Sequence, residues 1–332
     1  MTVAIGVQDT RAMSGRFEEA LALVRNEFEG LDSHRQYRNA FARLLKPDPL
    51  GRVLMMGTDQ RDLFVPALRD VIAAVVPPGG HILDLGAGDG QTFALIADAV
   101  PAGTTVSFEE PNAGYARDYA AMLAARKHLR TGAALVAGFE DLDAARLPAD
   151  GSIDLVLAVQ MLFFLDDLPT GLTRMARLLK PGGALAVVVA DESVGFTGQA
   201  LEAFIAAGGD TGDNQRHRAA IAERRDLLSG DGFSGPRLPL VLAQALPDVR
   251  FALETVRQPS RLYGHTLSDL IALSIITILA RSEGTLKFKA ACDLLRDTPH
   301  AVDLRIEHDG VRKGMFSVTQ PQFVSILRRL PD

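Results

Sequence analysis

The sequence predicts an α/β fold, a mostly parallel Rossmann-like sheet with a late antiparallel strand, and three observations lead there. From residue 81 onward, short apolar runs alternate with helical stretches, the pattern of a parallel sheet covered on both faces. One of those runs, His81-Ile82-Leu83-Asp84-Leu85, feeds straight into Gly86-Ala87-Gly88-Asp89-Gly90. Residues 302–308 alternate apolar and polar ahead of Asp309-Gly310, a hairpin signal that lets residues 314–318 return antiparallel.

Taken in order, residues 1–60 read as an N-terminal helical cap. Phe17, Leu21, Val24 and Phe28 recur at helical spacing. Ser33 can cap a second helix, which Pro47-Asp48-Pro49 ends. A third helix is expected over 61–76, stopped by Pro77-Pro78-Gly79-Gly80, and it opens the core of 61–195. Strands are expected at 81–85, 104–108, 134–137, 153–159 and 184–189, with helices near 91–99, 112–127 and 169–179. Pro181-Gly182-Gly183 is a turn feeding the fifth strand. Residues 196–332 read as a covering insertion followed by closing strands. Within it, 206–236 is a polar surface excursion, 249–256 another strand and 267–280 an apolar helix.

Composition narrows the function classes. The chain has 332 residues, 47% of them apolar and 23% charged, enough to bury a full core. A net charge of -6 supplies no basic excess for phosphates, so no nucleic-acid partner is expected. No apolar run is long enough for a bilayer, and no membrane partner is expected. Cys292 is the only cysteine, which excludes an intramolecular disulfide and a cysteine-based zinc site. The first residues lack a charged segment followed by an apolar one, so a cytoplasmic protein without a signal peptide is expected. A monomer or homodimer acting on a small molecule fits these bounds. Asp191 and Glu192, expected in a surface loop after the fifth strand, have no histidine beside them. No metal is expected.

The strand-to-glycine turn carries the chemistry. Glycines let a backbone turn sharply and approach a ligand closely. The next strand ends in Glu109-Glu110-Pro111, and Glu110 lies 24 positions after Gly86. An acid at that place can accept both hydroxyl protons of a ribose. Position 91 is Gln, so the dinucleotide pattern G-x-G-x-x-G is broken. Asp84 beside the glycines would repel a pyrophosphate and suits the amino group of a methionine moiety, directly or through water. The expected cofactor is therefore S-adenosyl-L-methionine rather than NAD.

This turn resembles motif I of class I S-adenosylmethionine-dependent methyltransferases, and Glu110 resembles their ribose-binding acid. Ile153-Asp154-Leu155-Val156-Leu157 with Leu178-Leu179-Lys180-Pro181-Gly182-Gly183 resembles their fourth strand and the turn before the fifth. The resemblance covers roughly residues 60–190, within the usual few-residue uncertainty of element ends. A narrower one lies at Val159-Gln160-Met161-Leu162-Phe163-Phe164-Leu165-Asp166-Asp167-Leu168-Pro169, which is similar to a segment of the histamine N-methyltransferase family, as is the pair Glu110-Pro111. That likeness implies a substrate contact for Gln160 and a cofactor contact for Val159. Where that family reads a cationic amine with an acid, this chain has His34, beside Arg35 and near Tyr37 and Arg38; where it has a C-terminal asparagine, this chain has a residue near Val318. The substitution favours a carboxylate-bearing acceptor such as an amino acid, a dipeptide or a 2-oxo acid.

The expected cofactor residues are Asp84, Gly86, Gly88, Glu110, Glu140, Asp141 and Val159. The expected substrate residues are His34, Tyr37, Arg38, Gln160 and Phe164. His34, as base, and Gln160, as orienting group, are the expected catalytic pair. Each has a plainer reading. A half-exposed helix histidine is common, Asp141 can cap a helix beginning at Leu142, Phe164 can be wall or core, and a buried Gln160 can simply bond a neighbouring loop. N-methylation is the favoured reaction. S- or C-methylation of a thioether, thiol or 2-oxo acid and a non-catalytic cofactor-binding module are the alternatives.

Overall fold

The computed structural model describes residues 57–195, 198, 212–230, 234–265, 270 and 303–331. The helices expected over 14–45, with His34, Tyr37 and Arg38, and the apolar helix expected over 267–280 lie outside the described residues.

The chain divides into two units. The larger comprises Arg61–Ala190, Glu223–Gln258 and Gln322–Asp332. Its sheet has seven strands: β1 (His81–Leu85), β2 (Thr105–Glu109), β3 (Arg130–Leu135), β4 (Ile153–Val159), β5 (Leu179–Ala190), β6 (Phe251–Gln258) and β10 (Gln322–Arg329), in the order β3-β2-β1-β4-β5-β10-β6. β1 pairs in parallel with β2 and β4, and β4 with β5, whereas β10 runs antiparallel to both β5 and β6. The strand order reverses at β1 and β4, and the carboxyl ends of the strands at such a reversal are where α/β sheets bind ligands.

Each central strand is apolar on both sides because both faces are covered. Ile82, Val106, Phe108, Leu155 and Leu157 face one layer, with Phe64, Leu68 and Ile72 of helix α1 (Gln60–Val75) and Tyr119 and Leu123 of α3 (Ala113–Ala124). Leu83, Leu85, Val156 and Ala158 face the other, with Leu172 and Met175 of α4 (Leu168–Leu178), Leu227 and Leu228 at the end of α5 (Gly212–Leu228), and Leu238 and Leu242 of α6 (Leu238–Ala245). Between β1 and α3 lies the short α2 (Gln91–Ala94). Asn112 caps α3 by accepting from the Gly114 and Tyr115 amides, and Asp167 caps α4 by accepting from the Thr170 amide.

At the amino end of the sheet, Asp154 accepts the His81 amide at 2.7 Å and pairs with Lys180 Nζ at 2.7 Å. Desolvation, with Lys180 adding to it, lowers the pKa of His81.

The smaller unit comprises Met1–Gln60, Asp191–Ala222 and Pro259–Pro321. Its described part holds a three-stranded antiparallel sheet in the order β7 (Arg261–Gly264), β9 (Phe316–Thr319), β8 (Arg305–Ile306). Arg261 ties it together through Ser317 Oγ, Thr319 Oγ1 and Asp303. Tyr263 donates to Asp59 at 2.8 Å, and the Arg312 guanidinium lies 4.3 Å from its ring centre. Asp191 and Glu192, expected on a surface loop, are 4% and 3% exposed, and the Asp191 carboxylate accepts the Ser193 amide. The strand end is not a free loop here: the Asp191 amide also donates to Pro321 O at 2.8 Å.

The expected hairpin exists as β8 and β9, but it belongs to this small sheet. The late antiparallel strand of the main sheet is β10. The excursion expected over 206–236 contains helix α5, whose final leucines are core residues.

Candidate functional site at the sheet reversal

The glycine turn is held by the tip of β2. β1 and β2 end in register, Leu85 opposite Glu109. Past that pair, three successive amides of the turn find acceptors on Glu109 and Glu110. Gly86 N–H donates to Glu109 Oε2 at 2.8 Å, Ala87 N–H to the Glu109 carbonyl at 2.9 Å, and Gly88 N–H to Glu110 Oε2 at 2.9 Å. Glu110 Oε1 accepts the Asn112 amide at 2.7 Å.

Gly86, Gly88 and Gly90 adopt φ of 61°, 59° and 86°, a region open to glycine and strained for other residues. At Gly86 a side chain would also collide, since a Cβ would stand 2.6 Å from Met161 Cβ. At Gly88 a Cβ would meet nothing within 4 Å. That open space lies beside the buried Glu110 carboxylate, which accepts the Gly88 amide.

The acids around the turn are buried: Asp84 is 6%, Glu109 2% and Glu110 8% exposed. Burial pushes Asp84 up to about 7, against the Tyr119 hydroxyl that donates to it at 2.8 Å, with Glu110 adding to the rise. Burial likewise pushes Glu109 up to about 7, opposed by the Gly86 amide and reinforced by Glu110 and Asp84. Glu110 is raised by burial, while the Asn112 and Gly88 amides act to lower it. Tyr119 is packed between Phe93 and Phe108, with ring centres 5.8 Å and 4.4 Å away, which fixes its hydroxyl on Asp84.

Across the reversal, β4 ends at Val159, half-buried, and Gln160 follows at φ 55°. A non-glycine residue in this region is uncommon and stays there only when its neighbours hold it. Two bonds to β5 do so. The Gln160 amide donates to Val188 O at 2.7 Å, and its side-chain Oε1 accepts the Ala190 amide at 3.3 Å. Phe164, in the turn after β4, is 63% exposed.

Asp84, Gly86, Gly88 and Glu110 thus come together, with Val159, Gln160 and Met161 on the adjoining strand end. Glu140 turns to the segment after β4. Its oxygens accept the Asp166 amide at 3.0 Å and the Asp167 amide at 3.1 Å. Asp141 is exposed in the 3-10 turn Phe139–Asp141 and caps no helix. Glu109, absent from the expected site, is its most deeply buried acid. The doubled acid at the strand tip was the signal, because neighbouring strand residues point to opposite faces. Among the described residues no cluster of three or more His, Cys, Asp or Glu side chains can hold a metal ion, and no helix is long and apolar enough to cross a membrane.

Residues 83–187 match the family described as "Methyltransferase domain". Over this segment the chain is similar to methyltransferase domains. Demethylmenaquinone methyltransferase of Beutenbergia cavernae is 38% identical over 136 residues, 41% of this chain and 49% of its own length. Malonyl-[acyl-carrier protein] O-methyltransferase of Methylococcus capsulatus is 30% identical over 166 residues, 49% of this chain and 54% of its own length. The chain therefore spans about half the length of these curated relatives. The YcgJ protein of Bacillus subtilis matches 82% of this chain and 98% of its own at a TM-score of 0.44 and 12% identity. The matched segment runs from Leu83 in β1 to Val187 in β5 and so contains the glycine turn and the tip of β2.

Removing the Glu140 carboxylate is expected to cost the larger unit about 0.5–1 kcal/mol, the net value of hydrogen bonds at an exposed position. Urea unfolding of Glu140→Ala measures it. A variant as stable as the parent would show that the bonds to Asp166 and Asp167 add nothing.

Proposed function

We propose that the chain transfers a methyl group from S-adenosylmethionine to a small polar metabolite, amino-acid-like or carboxylate-bearing, with nitrogen as the favoured acceptor. The observation that carries this reading is the glycine turn at the sheet reversal, its amides tied to Glu109 and Glu110 and its Gly88 open to a ligand. Bound there, the cofactor supplies an activated methyl group on a sulfonium.

The residues then have separate tasks. Glu110 accepts the ribose hydroxyls while keeping its bonds to the Gly88 and Asn112 amides, since each carboxylate oxygen has two lone pairs. Asp84, held by Tyr119, faces the amino group of the methionine moiety, directly or through water. Val159 lies along the cofactor. Gln160, whose side-chain oxygen accepts the Ala190 amide and so ties it to β5, orients the acceptor. His34, Tyr37 and Arg38 are proposed to complete the carboxylate site, with His34 taking the proton from an ammonium acceptor. Phe164 would wall the substrate side. Alignment of acceptor and methyl group can lower the barrier by roughly 7–11 kcal/mol in favourable cases, so orientation is the main task left to the protein.

A second reading is C-methylation of an enolised 2-oxo acid. The similarity to a ubiquinone/menaquinone biosynthesis C-methyltransferase of Stenotrophomonas maltophilia, 36% identical over 121 residues, favours it.

The deciding experiment incubates the full chain with methyl-labelled cofactor and amines, amino acids, thiols and 2-oxo acids, reading product masses. Histidine and similar zwitterions are expected to outperform histamine, and His34→Glu to move the ratio toward histamine. A parent that prefers histamine would overturn the carboxylate assignment. An unmoved ratio would remove His34 from charge reading. No methylated product from the entire panel would count against the small-metabolite reading.

A further inference from the structure

We propose that Glu109 is a positioning residue of the cofactor turn, its side chain holding the Gly86 amide and so fixing the backbone where it passes Met161. The proposal rests on the turn being the cofactor site. It adds a second acid, from the opposite face of β2, to the one expected to bind ribose.

Start from what β2 requires. It lies inside a parallel sheet covered on both faces, where apolar side chains are the rule. Val106 and Phe108 obey it, both fully buried. Glu109 does not, although it is 2% exposed. The charged groups that act on it are Asp84 from β1 and Glu110, the residue that follows β2, both acids. Burying a carboxyl there costs free energy, and the 2.8 Å bond from Gly86 N–H offsets part of that cost.

That amide needs a side-chain acceptor. At φ 61° the chain has left the strand conformation, and the Glu109 carbonyl is already taken by the next amide, Ala87. The clearance is narrow, because the position of a Gly86 Cβ lies 2.6 Å from Met161 Cβ. A turn released from Glu109 can settle away from Met161, and the Gly88 amide and Glu110 would move with it. Glu109 thus acts on the ligand through the backbone, and Glu110 directly.

The bond also varies with pH. The Glu109 carboxyl rises to about 7 through burial, so the acceptor changes between a neutral and a charged form near neutrality. A charged acceptor makes the stronger bond. Asp84 titrates in the same range and faces the same turn, so a pH effect belongs to Glu109 only if it changes when Glu109 alone is replaced.

Full-length Glu109→Ala and Glu109→Gln test this by two readouts. The first is amide hydrogen exchange at Gly86 and Gly88 in cofactor-free protein, followed by NMR. The second is the Kd for S-adenosylhomocysteine, measured by calorimetry at pH 6 and pH 8. Glu109→Ala should speed exchange at Gly86 about tenfold or more, with a smaller change at Gly88, and weaken binding about tenfold. Glu109→Gln keeps an acceptor oxygen. It should restore Gly86 protection and most of the affinity, and reduce the tightening between pH 6 and pH 8.

Unchanged Gly86 exchange in the alanine variant, or no rescue by glutamine, would overturn the proposal. If the alanine variant does not fold, the glutamine variant decides. A raised folded-state pKa means the folded chain holds the proton more tightly, so the cost of the buried acid grows from about pH 4.3 up to about 7. At pH 8 Glu109→Gln should therefore unfold no lower than the parent, with Gly86 still protected; lost protection there would overturn the proposal. If the parent binds neither S-adenosylmethionine nor S-adenosylhomocysteine, the proposed function fails, while the exchange measurement still decides whether Glu109 holds Gly86.

Discussion

Replacing Glu110 by alanine is expected to weaken S-adenosylmethionine and S-adenosylhomocysteine binding by about 1.5–3 kcal/mol, roughly ten- to a hundredfold. The carboxylate is 8% exposed and is tied to the Gly88 and Asn112 amides. Its orientation is therefore set before a ligand arrives, and little ordering remains to be done on binding. Alanine removes the proposed ribose acceptor and also releases two backbone donors, the Gly88 and Asn112 amides. Calorimetry on both ligands gives the loss directly. Unchanged affinity would remove Glu110 from the site, and tight NAD binding in the parent without S-adenosylmethionine binding would remove the cofactor assignment altogether.

Alanine at Gly86 is expected to destabilise the fold by about 2–5 kcal/mol, against about 1–2 kcal/mol at Gly88. Both glycines carry the left-handed backbone, φ 61° and 59°, so both substitutions bear that conformational cost. Only at Gly86 does the new methyl group meet an obstacle, Met161 Cβ at 2.6 Å. The two variants then differ in kind. Gly86→Ala should lose stability in urea unfolding. Gly88→Ala should remain folded and lose ligand affinity, because its methyl group enters the open space beside Glu110. Equal losses of stability would show that the approach to Met161 relaxes without cost.

The parts of this molecule that could be read in advance are those where burial and local pattern agree. β1 and β4 begin and end where expected, because each is an apolar run bounded by residues that cannot continue it, glycines after Leu85 and the left-handed Gln160 after Val159. β3 was expected four residues late. It is an edge strand whose residues are mostly exposed, so Arg130 and Thr131 pair with β2 without any apolar signature. β10 carries Gln322, Ser325 and two arginines among its apolar residues, a mixture that hides a central strand. β5 begins at Leu179, earlier than expected, because a register shift opposite Ile153 and Leu155 takes up Pro181-Gly182-Gly183 inside the strand.

The site divides in the same way. That Asp84, Gly86, Gly88 and Glu110 lie together follows from their places at the ends of two paired strands, which local pattern alone locates. Glu109 was not legible, since its role depends on which amide the folded turn presents to it. Nor was the bond from Glu140 to the Asp166 and Asp167 amides, which joins segments 26 and 27 residues apart.

The place of β10 has a consequence for how the chain is made. β5 pairs with β4 on one side and with β10 on the other, yet β10 begins at Gln322, long after β5 has ended at Ala190. During synthesis the run Ala184-Leu185-Ala186-Val187-Val188-Val189 therefore emerges with one edge unpaired and must wait for its partner. A long-range closure of this kind is slow, and an apolar edge left open invites pairing with other chains. The open edge of β5 is thus exposed to aggregation until its distant partner arrives, and that exposure grows with the time a ribosome spends between the two.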